Sequence, residues 1–144
     1  MKRKPNSMSR LLILPIFAML FIGITSCSKD DNGGDTPGNV KIDAAVGTYK
    51  GTIEVFRGTQ TQEYFNAIVN VTKVNDKELK VAPKSGEAYS DATPETFFIQ
   101  SVSDLGLSST NSRFIYQVAD KSLNFITNKD QENEIIFHFT GTKQ

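Results

Sequence analysis

The chain has one cysteine, one histidine and no tryptophan among its 144 residues. A lone cysteine excludes an internal disulfide, so any domain must hold together through its core alone. Cys27 and His138 together supply too little material for a zinc site of ordinary nitrogen and sulfur ligands. A Ser-His-acid triad would have to use His138, which strand alternation places on the outward face of the last strand. Asp30–Asp35, DDNGGD, has some calcium-loop character but lacks the twelve-residue ligand pattern. The 16 basic and 16 acidic residues cancel, and no clustered basic surface of the kind nucleic acid needs is evident. No apolar period of 3.6 residues follows Cys27, so there is no helix for a phosphate-binding glycine loop to precede. These absences lead us to expect no enzyme activity, no metal, no cofactor and no nucleic-acid partner.

What is present begins at the N-terminus. Lys2, Arg3, Lys4 and Arg10 form a basic head without an acid. Leu11 to Ile24 is a fourteen-residue apolar run containing Pro15. At ~1.5 Å per residue it spans roughly 21 Å, short of the ~30 Å hydrocarbon core. A short run behind a basic head reads as a secretory signal rather than a spanning helix. Ile24-Thr25-Ser26-Cys27 follows, and it resembles the lipobox of bacterial lipoproteins. That resemblance implies a signal peptide over 1–26, cut before Cys27. It also implies diacylglycerol on the Cys27 thiol and an acyl chain such as palmitate on the new amine. Two or more chains anchor firmly, at ~0.8 kcal/mol per buried CH₂. The acidic Ser28-Lys29-Asp30-Asp31 resembles the surface-export signal of certain Gram-negative lipoproteins. It implies an outer-membrane protein anchored by lipid and exposed at the cell surface, with a periplasm-facing location as the alternative.

Removing Lys2, Arg3, Lys4 and Arg10 from the 16 basic residues leaves 12 against 16 acidic ones, a formal mature charge of −4. Residues 27–43 hold the lipidated cysteine and a Gly- and Asp-rich stretch without apolar period, which reads as a flexible tether. Residues 44–144 form the one domain, large enough for one core.

In that domain the apolar period is two throughout. Strands are predicted at Val46–Phe56, Glu63–Val74, Glu78–Pro83, Thr96–Ser103, Arg113–Ala119, Ser122–Thr127 and Glu134–Thr140. An eighth arises if Tyr89 lies in a short strand. Gly51 falls on the apolar face of the first strand, where it signals a bend or a close backbone approach. Pro83–Glu95 and Asp104–Ser112 read as loops. Successive strands with tight turns predict an all-β antiparallel meander. Closure into an up-and-down β-barrel of about eight strands would hide its edges, with a β-sandwich as the alternative.

Gly47-Thr48-Tyr49 and Gly141-Thr142-Lys143 resemble the calycin group of lipocalins, fatty-acid-binding proteins and avidins, and in particular short calycin-like barrels on bacterial lipoproteins. In that group an aromatic near the start of the first strand packs across the barrel floor beneath a basic residue from the barrel's end. The resemblance implies those roles for Tyr49 and Lys143 beside Gly47. Tyr stands where Trp is usual, and other lipocalin motifs are not recognisable.

The predicted interior stripe is Phe65, Val69, Phe97, Phe114, Tyr116, Phe125, Phe137 and Phe139. Either these side chains fill the barrel, or they line an apolar pocket for a small hydrophobic ligand. Large side chains in a short chain favour the filled core. The expected function is a non-catalytic binding or interaction module. Loops 83–95 and 104–112, with Tyr89 as loop aromatic, would contact a surface protein or glycan. A calycin-type carrier of a small hydrophobic ligand is the alternative.

Overall fold

A computed structural model of the chain describes residues 40–144. The expected signal peptide, Cys27 and most of the expected tether lie outside the described residues. A 3-10 turn at Ile42–Ala45 leads into eight strands: β1 (Gly47–Arg57), β2 (Gln60–Asn75), β3 (Glu78–Pro83), β4 (Glu95–Ser103), β5 (Gly106–Ser109), β6 (Phe114–Gln117), β7 (Ser122–Ile126) and β8 (Ile136–Lys143). Each pairs antiparallel with the next, and β8 closes on β1. This is the expected up-and-down barrel, compatible with a calycin-like fold; the sandwich is excluded.

Alternation drives the closure. Ile53 and Val55 on β1, Leu79 and Val81 on β3, Phe97 and Ile99 on β4, and Phe137 and Phe139 on β8 are all buried. Residues between them on each strand face out. Closure also needs β1 and β8 to approach closely, and Gly51 pairs with Gly141 at that seam. A Cβ on Gly51 would collide with the Thr140 carbonyl, and one on Gly141 would collide with the Lys50 carbonyl and the Phe139 ring. The close approach expected at Gly51 is therefore present.

Two strand assignments change. The eighth strand is Gly106–Ser109, not a segment at Tyr89. Leu107 is buried on it and pairs with Tyr116, while Leu105 projects from the preceding turn at 82% exposure. The segment 104–112 is thus not one loop. Its Asp104-Leu105 turn and its Thr110–Ser112 3-10 turn lie at opposite ends of β5, and so at opposite ends of the barrel.

Phe65 is the second correction. On β2, Ala67 pairs with Gly51 and Tyr64 with Ile53, so Phe65 and Asn66 both stand opposite Thr52. This bulge inserts one residue and reverses the facing of everything before it on β2. Asn66 takes a left-handed conformation, with φ 57°. Tyr64 turns inward, half-buried, and Phe65 turns outward at 69% exposure.

Candidate functional site

The predicted interior site comes together as a packed aromatic column. Phe125 lies at its centre, with ring centroids 5.9 Å from Phe97, 6.3 Å from Phe114, 5.3 Å from Phe137 and 5.7 Å from Phe139. Tyr116 packs edge-on to Tyr49 at 6.3 Å. All seven of these side chains are buried. Spacings of this size are those of direct aromatic contact. Phe65 is not among them.

Each end of the column is covered. At one end, the Ile42–Ala45 turn presses buried Ile42 and Ala45 onto the core, and the Tyr49 hydroxyl donates to the Ala45 carbonyl at 2.7 Å. Burial, and then neighbouring Tyr116, push the Tyr49 hydroxyl well above the usual tyrosine range. Burial also raises Tyr116, with a contribution from Asp120. Lys143 pairs with Tyr49 across the β1–β8 ladder, and its ammonium donates to the Ala44 carbonyl at 3.0 Å. The cation therefore ties down the covering turn instead of lying on the Tyr49 ring. The one cation–π contact found among the described residues is Arg113 over Phe97, at 5.5 Å. Gly47 has φ 152°, and a Cβ there would press on the Lys143 side chain.

At the other end lies the loop between β3 and β4. Tyr89, expected as an exposed loop aromatic, is buried, because its ring packs on Tyr64 at 5.5 Å. Its hydroxyl accepts the Ile68 N–H at 2.8 Å. Arg57 grips the same loop through both Asp91 carboxylate oxygens, at 2.8 and 2.6 Å, and through the Ala88 carbonyl at 3.2 Å. The Arg57 hydrogen bond holds the Asp91 carboxyl below the usual carboxylate range. Beside it, Arg113 bridges both Glu95 oxygens at 2.8 and 2.9 Å. Sequence reading missed this closure because no local pattern links Arg57 to Asp91 or tells a loop that covers from one that protrudes.

The outward turn of Phe65 creates a site that the sequence reading did not anticipate. Phe65 lies in a shallow cleft of about 460 Å³ with Lys50, Thr52, Asn66, Thr142 and Gln144. An exposed ring among amide, hydroxyl and ammonium groups combines an apolar platform with donors and acceptors. Gly51, in the same cleft, was the one signal of it in the sequence. His138 faces outward as expected. Its Nδ1 is 3.4 Å from Glu54 Oε2, and its Nε2 is 3.2 Å from the Asn124 amide. Among the described residues, no serine hydroxyl is bonded to its ring.

No protein-family model, curated protein or solved structure matches this chain.

Proposed function

We propose that this chain is a lipid-anchored lipoprotein of the outer membrane, displayed at the cell surface, whose calycin-like barrel is a non-catalytic binding module. Acylation of Cys27 supplies the anchor. The observation that carries the module reading is the aromatic column: Phe97, Phe114, Phe125, Phe137 and Phe139 occupy the space a carrier would keep for its ligand. Recognition then falls to the outside of a rigid scaffold. The carrier alternative would need several of these rings to move together, against their packing.

The outer feature best suited to recognition is the Phe65 cleft. A surface protein or glycan would set an apolar face on the ring and satisfy its polar groups on Asn66, Thr142 and Gln144. Binding of the acylated protein to arrays of bacterial and host surface glycans and proteins tests this. Phe65→Ser should reduce retained binding at least tenfold with an unchanged melting temperature. Undiminished binding by that variant would remove the cleft from the proposal.

A further inference from the structure

Six large apolar side chains are prominently exposed among the described residues, and four share one end of the barrel. Val74 is the penultimate residue of β2, and Val102 that of β4. Leu105 forms the tip of the β4–β5 turn, and Phe98 pairs with Glu78, the first residue of β3. They are 52%, 49%, 82% and 50% exposed, respectively. Phe98 and Val102 also flank a cleft of about 310 Å³ floored by Ile42. This is the end where the chain enters the barrel, at Val40 and the Ile42–Ala45 turn.

We infer that this rim is a membrane-contact face, seated on the surface of the bilayer that holds the lipid anchor. The inference rests on the lipoprotein reading above. Twelve residues, 28–39, separate Cys27 from Val40, and a chain of that length spans at most about 45 Å even when fully extended. The rim therefore works at high effective concentration over the lipid, where a contact too weak for a free domain becomes populated. Residues 28–39, SKDDNGGDTPGN, contain no large apolar side chain able to cover it. The side-chain charges at this end, Lys41, Lys73, Lys77, Lys121 and Lys143 beside Asp43, Asp76, Glu78, Asp104 and Asp120, balance in number, so the contact rests on the apolar side chains rather than on a basic patch. Leu, Val and Phe side chains of this kind enter the boundary between headgroups and acyl chains. The opposite end, with the β3–β4 loop, then faces away from the membrane.

The test uses the full acylated protein in phosphatidylcholine vesicles. With Cys27 acylated, Asp104→Cys or Ser90→Cys each provides a single thiol for a fluorescent label, beside the rim or at the far end. Spin-labelled phospholipid should quench the label at 104 at least threefold more than the label at 90. Adding Val102→Ser and Leu105→Ser should abolish the difference. Equal quenching at both positions with Cys27 acylated would overturn the contact alone. Equal quenching accompanied by self-association would overturn it too, and assign the rim to a second copy. An unmodified Cys27 in the N-terminal peptide mass would overturn the anchor and the contact together.

Discussion

Gly51 and Gly141 face each other across the seam that closes the barrel, with no room for a Cβ on either. The obstacles at Gly51 are backbone atoms, which cannot swing aside as a flexible side chain would. Gly51→Ala should therefore cost about 3 kcal/mol, at the upper end for overpacking, measured by urea unfolding. An unchanged midpoint would mean that the seam is looser than described.

Phe125 and Phe65 form a contrasting pair. Phe125 touches four rings inside the barrel, so Phe125→Ala should lose about 3–5 kcal/mol. Phe65 stands outside the bulge, and Phe65→Ala should change stability by no more than about 0.5 kcal/mol. Equal losses in thermal or urea unfolding would return Phe65 to the core.

Tyr89→Phe removes the acceptor for the Ile68 N–H and keeps the ring. The expected cost is about 1–3 kcal/mol. Hydrogen exchange should accelerate at the Ile68 amide, while amides at the far end of β2 keep their protection.

Tyr49 predicts an alkaline weakness. Its folded-state pKa is raised, so its contribution is complete below the ordinary tyrosine value of 10.0. It is lost as pH climbs above that value, because the unfolded chain ionises first. Stability measured between pH 9 and 11 should fall more steeply in the native protein than in Tyr49→Phe.

Asp91 predicts the opposite, on the acid side. Its folded-state pKa is lowered, so the Arg57 pairing contributes fully above the ordinary carboxylate value of 3.8 and fades as pH falls below it. The stability difference between the native protein and Asp91→Asn should shrink from pH 6 to pH 3. Because the pair is half in solvent, the difference at pH 6 should itself be small.

The barrel was legible because its cause is local. Period-two alternation from Tyr49 to Phe139 sets the faces, and turn formers such as Asn75-Asp76, between β2 and β3, set the hairpins. Phe65 was misplaced because alternation was carried straight through a bulge that one extra β2 residue creates. Gly51 marked the place but not the strand that holds the extra residue. β5 was missed because Gly106–Ser109 is four residues long and serine-rich, so its burial comes from its neighbours rather than from its own pattern. Tyr89 was misread for a related reason. A loop's polarity does not reveal whether it folds back over the barrel, and that depends on Arg57, 34 residues away from Asp91.

Native mass spectrometry of the protein, gently extracted from the cells that make it, tests the central claim most directly. A barrel filled by its own phenylalanines should give the mass of the chain and its covalent modifications alone, with no stoichiometric small molecule retained. A hydrophobic molecule bound one-to-one, surviving extraction and lost on Phe97→Ala or Phe137→Ala, would contradict the filled barrel and make the protein a carrier.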